Sequence, residues 1–280
     1  MCRWLAYSGT PLLLHDLLYR SERSLIVQSL HARLGNEETN GDGFGVGWYD
    51  GRETPAVFRS IEPAWNDRNL RELAGHIESG YVFAHVRAST HAPVQLSNCH
   101  PFRYGRRLWM HNGLIHDFVH IKRELALAVD PQLYPLIEGS TDSELFFFLA
   151  LTFGLEDDPP TAVARTVGLI EEVGRRQGVP VPIHMSVATT DGERTWAFRY
   201  SSEHRSPSLF YSTDVATLRA QHPEANQEDI YASLSHVRLP SVRTSALRPA
   251  DAPKHLAGSG VRPSRGGLGP PRNRLVNNPG

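Results

Sequence analysis

The sequence predicts a layered α+β fold. Alternating stretches come first, two long helical patterns follow between Thr141 and Ile170, and alternating stretches return from His184. That grouping lacks the regular strand–helix alternation of a parallel sheet. No internal repeat interrupts it, and 280 residues suffice for a core without disulfide staples.

Taken in order, Cys2 to Tyr7 is short and mostly apolar, as an opening strand would be, and a helix-like stretch follows from Leu12 to Tyr19. The polar, turn-rich Gly35–Gly43 leads into Phe44–Tyr49, where Phe44, Val46 and Trp48 alternate with small residues. Val57–Ser60 is the expected hairpin partner. Leu70, Leu73 and Ile77 give Asn66–Glu78 helical spacing, and Tyr81–Val86 reads as a strand ending in a charged cluster. A strand over Arg107–His111 is expected to stop at Asn112-Gly113. Thr141 and Glu144 have capping-box spacing ahead of the apolar Leu145–Leu155. Val163, Val167 and Ile170 share a helix face after a Pro-Pro start. His184–Thr190, Arg194–Tyr200 and Leu209–Ser212 read as strands, the first two joined by the hairpin signal Asp191-Gly192.

A net charge of -1 and a pI near 6.9 argue against a broad footprint for nucleic acid or an anionic membrane. Leu145–Leu155 falls well short of the roughly 20 residues that span a bilayer, so it reads as a buried helix. Two cysteines, Cys2 and Cys99, make no disulfide framework, and the N-terminus lacks a signal-peptide layout; a reducing cytoplasm fits. From about Pro240 the character changes, with six Arg and one Lys against the single acid Asp251, frequent Pro, Gly and Ser, and little apolar periodicity. The expected division is a domain over 2–235 and a disordered Arg/Pro/Gly-rich tail over 236–280.

Several short motifs carry chemistry, each with a plainer alternative. Removal of Met1 would leave Cys2 with a thiol and a free α-amine on one residue. An amine with an ordinary pKa of roughly 7.7 to 8.0 can take the thiol proton near neutral pH. NGDGFGVGW (Asn40–Trp48) places glycines where backbone approaches a ligand or where a tight turn enters a strand; no helix follows, which rejects a phosphate loop. HVRASTH (His85–His91) sets Arg87 just past a strand, suited to a substrate carboxylate or to a structural ion pair. In MHNG (Met110–Gly113), the Asn112 amide and Gly113 N–H can form an oxyanion hole, or Asn-Gly can be a hairpin turn. In GSTDSE (Gly139–Glu144), Asp142 lies in a helix first turn, as dipole electrostatics favours, and can also bind an ammonium. Cys99 reads as a packing residue. None of the fourteen histidines falls in an HxxxH or HExxH spacing on a convincing helix, so no metal and no cofactor is expected.

In order, MCRWLAY, NGDGFGVGW, HVRAST, NCHPF, MHNG and GSTDSE resemble a class II glutamine amidotransferase domain, an N-terminal nucleophile hydrolase, over about residues 2–215. Ser60–Leu70, HVRAST and IKREL are similar to stand-alone members related to the glutathione-degrading amidotransferase subunit and to the γ-glutamyl hydrolase of ergothioneine biosynthesis. The resemblance implies a four-layer αββα sandwich. It implies Cys2 as nucleophile with its own α-amine as base, and Asn112 with Gly113 as oxyanion hole. Arg87, helped by Thr90 and His91, would hold the α-carboxylate of a γ-glutamyl substrate, Asp142 its α-ammonium, and Asp42 and Gly43 would line the pocket. Its substrate would be glutamine, glutathione or a similar compound. The chain would act alone or as the glutaminase half of a complex with a separate peptidase or synthase subunit, without nucleic acid or membrane. An ergothioneine-pathway hydrolase and an inactive γ-glutamyl-binding scaffold are the alternatives. The chain departs from the family after about Tyr231, which predicts a missing sheet edge.

Overall fold

Alternation along each strand decides which side chains meet helices and which meet the opposing sheet. A computed structural model describes residues 2–21, 24–30, 39–89, 92–205 and 209, and the backbone of 243–246. Strands β1 (Arg3–Leu13), β2 (Phe44–Trp48), β3 (Ala56–Ser60) and β4 (Glu78–Val86) form an antiparallel sheet in the order β1-β4-β2-β3. Tyr7, Phe44, Val46, Val82, Ala84 and Val86 share one face of it, in a core with Leu14, Leu18, Ile26 and Leu70. Those last residues come from helices α1 (Leu14–Leu18), α2 (Leu25–Leu30) and α3 (Arg68–Ala74).

The second sheet runs in chain order through β5 (Phe102–Tyr104), β6 (Arg107–Ile115), β7 (Ile183–Thr190), β8 (Thr195–Ser201) and β9 (Arg243–Ala246). Its helix-facing side carries Trp109, Ile115, Met185, Val187 and Phe198. Against them pack α4 (Phe118–Ala126), α5 (Asp142–Thr152) and α6 (Pro159–Arg176). Residues 143–151 of α5 are all buried, which explains a sequence apolar on every side. The remaining faces meet each other through Phe83, Leu108, Met110 and Ala188, with Trp4 and Ala6 beside them. Four layers, αββα, result.

Close approach of the sheets explains two of the glycines in NGDGFGVGW. A Cβ on Gly45 would lie 2.2 Å from the His100 carbonyl oxygen, and one on Gly47 2.8 Å from Leu108. These positions are small because the opposing layer fills the space. Gly43, at φ +106°, needs glycine on backbone grounds as well.

The two secure helices and the β2–β3 and β7–β8 hairpins are present where expected. Thr141 accepts from the Glu144 amide as a capping residue should. One expectation is overturned. The strand over 107–111 does not end at Asn112-Gly113; β6 runs through to Ile115, with Asn112 paired to Ser186 and Gly113 to Met185. Pairing with β7 continues through the dipeptide, and this outweighs its turn preference. Leu12 and Leu13 belong to β1 and α3 ends at Ala74, so both early helices are shorter than their spacing suggests. Within 236–280, Arg243–Ala246 runs parallel beside β8 and adds a strand to that edge of the second sheet. An edge strand joined by backbone bonds needs no apolar period. Of the expected strand Leu209–Ser212, residues 210–212 lie outside the described residues.

Candidate active site

Cys2 stands one residue before the Arg3–Val86 pair, which sets it beside Arg87 at the end of β4. Trp4 and Ala6 lie between the sheets, and by alternation Cys2 points the same way. Its thiol donates to the Ala88 carbonyl at 3.4 Å and accepts from the Ala88 amide at 3.4 Å. Burial pushes the thiol pKa up, opposed by the Ala88 backbone and the Arg87 guanidinium, while the Asp142 carboxylate raises it further. Both opposite charges therefore act on the same sulfur. A thiol raised in this way needs a base to become nucleophilic.

Arg87 is 4% exposed, yet no carboxylate pairs with it among the described residues. Its Nη1 donates to the Asp42 carbonyl at 3.3 Å. Nη2 donates to Ser89 Oγ at 3.0 Å and to the carbonyls of Ala92 and Pro93 at 3.3 and 3.2 Å. The structural ion pair is thus replaced by a collar of neutral acceptors, and the cation keeps its charge for another anion. Asp42 clamps the same segment: its Oδ2 accepts from the Ser89 amide at 2.7 Å and its amide donates to the Arg87 carbonyl at 3.1 Å. Gly43 accepts from the Arg87 amide at 2.8 Å, and a Cβ on it would lie 2.7 Å from Cys99 Sγ. Cys99 is fully buried in that packing role. Thr90 and His91 lie outside the described residues.

By alternation with Leu108 and Met110, Asn112 lies on the face of β6 that meets the first sheet, and Gly113 follows it. The Asn112 side-chain amide has no hydrogen bond among the described residues, and the Asn112 backbone carbonyl accepts from Ser186 Oγ at 3.3 Å. Ser186 Oγ accepts in turn from Trp4 Nε1 at 3.2 Å, so one hydroxyl links the strand of Cys2 to the strand of Asn112. Gly113 has no room for a side chain, because a Cβ would lie 2.2 Å from the His184 carbonyl and 2.6 Å from His111 Nε2. Asp142 opens α5 with Oδ2 accepting from the Ile115 amide at 2.8 Å, just past the same stretch of β6.

A thiol, a guanidinium without a carboxylate partner among the described residues and a carboxylate thus come within electrostatic reach of one another from elements distant in sequence, and Asn112 is tied to the same strand end through Ser186 and Trp4. A model of the class II glutamine amidotransferases matches residues 18–200. The chain belongs to that family. It is 36% identical to the probable glutamine amidotransferase DUG3 of Saccharomyces cerevisiae, over 82% of this chain and 74% of that protein. It is 28% identical to the γ-glutamyl-hercynylcysteine sulfoxide hydrolase of Mycolicibacterium smegmatis, over 76% of this chain and 87% of that one. A solved glutamine aminotransferase class-II domain protein from Silicibacter pomeroyi is 36% identical, with TM-score 0.62 over 77% of this chain and 84% of that chain. The protein is an enzyme of γ-glutamyl amide hydrolysis or transfer.

In this amidotransferase, several supporting residues escaped a reading by motif. Asn98 joins the segment around Arg87 to the segment before Asp142: its Nδ2 donates to the Pro93 carbonyl at 2.9 Å and its Oδ1 accepts from the Ser140 amide at 2.9 Å. Glu144, 4% exposed, accepts from the amides of Glu138 and Gly139 at 3.0 and 2.6 Å. Burial raises its pKa against the pull of those two donors. A Cβ on Gly139 would meet Asn98 Oδ1 at 2.5 Å, so glycine is required there. The signal for Asn98 lay in NCHPF, beside the cysteine that drew attention instead. His85, His100 and His111 are buried close by, the first two with ring centroids 4.2 Å apart. Among the described residues no group of three or more His, Cys, Asp or Glu is disposed to hold a metal ion, and no helix is long and apolar enough to cross a membrane.

Proposed function

We propose that the catalytic unit, over 2–235, cleaves γ-glutamyl amides through a thioester on Cys2 after removal of Met1. While Met1 is present the Cys2 nitrogen is an amide without a basic lone pair; removal makes it an amine that takes the thiol proton. Arg87 binds the α-carboxylate with a fork suited to both oxygens, together with Thr90 and His91, and Asp142 binds the α-ammonium. The γ-carbonyl carbon then faces Sγ, and its oxygen takes hydrogen bonds from the Asn112 amide and the Gly113 N–H as negative charge develops. The S–C bond forms, the C–N bond breaks, and the leaving amine departs with the proton held by the Cys2 amine. Water, or an acceptor amine, attacks the thioester and regenerates the thiol.

The observation that carries this reading is the placement of Arg87 and Asp142, opposite in sign, within electrostatic reach of one sulfur. Such a pair suits a zwitterionic amino-acid head. Asp42 and Gly43 brace Arg87 from beneath the site. Glutamine and glutathione are the expected substrates, in a reducing cytosol, with the chain acting alone or beside a separate peptidase or synthase subunit. The sulfoxide named for the Mycolicibacterium relative is the second substrate to assay, on the strength of that similarity. The test is treatment of processed protein with a diazoketone analogue of glutamine, followed by intact mass and peptide mapping. One adduct on an N-terminal Cys2, prevented by glutamine, is expected. Folded, processed protein that takes no adduct and hydrolyses none of the three compounds overturns the proposal.

A further inference from the structure

Asp142 is held by more than its helix. Its two oxygens are divided between elements: Oδ2 accepts from the Ile115 amide of β6 at 2.8 Å, while Oδ1 accepts from the Ser143 amide at 2.8 Å and the Ser143 hydroxyl at 3.3 Å. Behind Ser143, Oγ lies 2.8 Å from His111 Nδ1, on the residue immediately before Asn112. His111 is 1% exposed, and its ring stands edge-on to Phe146 of α5 with centroids 5.4 Å apart.

We propose that Ser143, backed by His111, is a positioning residue that sets the Asp142 carboxylate relative to the oxyanion donors Asn112 and Gly113. The inference rests on the reading that Asp142 receives the substrate ammonium. A serine hydroxyl has one hydrogen. With that hydrogen directed at the carboxylate, which only accepts, the Ser143 oxygen receives the proton of His111 Nδ1. The hydrogen-bond chain is then His111 Nδ1–H to Ser143 Oγ–H to Asp142 Oδ1.

Two separate observations agree with that direction. His111 Nε2 is buried without a partner among the described residues, and an unpaired lone pair is more readily tolerated in the interior than an orphaned N–H. Burial also keeps the ring neutral, with its pKa lowered to about 4, so a single ring nitrogen carries hydrogen at neutral pH. Nε2 faces Gly113, where a Cβ would stand 2.6 Å away. The ring thus touches the oxyanion segment on one side and orients the carboxylate on the other. Substrate head and reacting carbonyl are thereby gauged against one rigid piece, so loss of the Ser143 hydroxyl weakens ground-state binding more than the chemical step.

The experiment compares Ser143→Ala, Ser143→Thr and Asp142→Asn in the processed full chain, with L-glutamine as substrate and circular dichroism with a thermal melt as a check on folding. Ser143→Ala is expected to raise KM on the order of ten-fold, with kcat changed less than about three-fold, because one hydrogen bond to a charged group is lost. Ser143→Thr keeps the hydroxyl and restores KM. Nitrogen NMR of His111 is expected to show the Nδ1–H tautomer. If Asp142→Asn raises KM while Ser143→Ala does not, or if His111 carries its hydrogen on Nε2, the inference falls and the reading of Asp142 stands. An unchanged KM in Asp142→Asn overturns both.

Discussion

Lowering the pH from 7 to 5 is expected to remove about 4 kcal/mol of folding stability through two buried imidazoles beside the site. His85 and His111 are each 1% exposed, and burial lowers their pKa values to about 3 and about 4. In the unfolded chain both return to about 6.5. Between those values the unfolded state binds more protons than the folded one, so stability falls as pH falls below the unfolded value and levels off only below the folded values. At pH 5 an unfolded ring is nearly all protonated and the folded rings nearly all neutral. Each ring then loses about 2 kcal/mol relative to pH 7, and the local slope approaches about 2.5 kcal/mol per pH unit. His100, tilted against His85 and lowered by the same burial, adds in the same direction. Such a loss is a large share of the roughly 5 to 15 kcal/mol that ordinary domains possess. Urea unfolding followed by tryptophan fluorescence at pH 7, 6 and 5 measures it directly. His85→Gln, which removes one titrating ring, should roughly halve the slope from this pair. Unfolding free energies constant to within about 1 kcal/mol over that range would refute the reasoning, as would native-state rings that titrate near 6.5 by NMR.

Replacing Asn112 by Ala should lower kcat by about 10² to 10³ with little change in KM, as steady-state kinetics on glutamine would register, because an oxyanion donor acts in the transition state. Arg87→Lys should raise KM for glutamine and lessen the preference over an analogue lacking the α-carboxylate, since an ammonium cannot reproduce both the collar of carbonyls and the carboxylate fork. Gly45→Ala inserts a methyl 2.2 Å from the His100 carbonyl and should lower stability by about 1 to 3 kcal/mol or more, read as a fall in Tm.

Much of the chemistry was legible because it depends on residue type in a short context. Cys2, Arg87, Asn112 and Asp142 could each be picked out beside a strand end, a turn-like dipeptide or a helix start. What each would contact was not. Arg87 taken alone looked better suited to an ion pair, and only the folded segment 92–93 shows that its neighbours are carbonyls. Asn112-Gly113 looked like a turn, since the dipeptide carries no trace of β7, the strand that pairs with it in space. The elements α2 and β5 left no clear period because they are short, whereas α4 carries Phe118, Ile121 and Leu125 at helical spacing and was overlooked. Ser143, Ser186 and Asn98 were missed for a related reason. A small polar residue gains meaning from a partner 32, 182 or 42 positions away, and no local pattern records such a distance.

The sequence by itself determined the layered class, the two buried-face helices, the main hairpins and the set of reactive groups, because helical and strand periods and side-chain chemistry are local properties. The tertiary structure alone decided that β6 passes straight through Asn112-Gly113, that the glycines of β2 admit the opposing layer, and that charges 55 residues apart, on Arg87 and Asp142, act on one sulfur. Those outcomes follow from the face-to-face packing of two sheets, whose spacing is set by side chains drawn from every part of the chain.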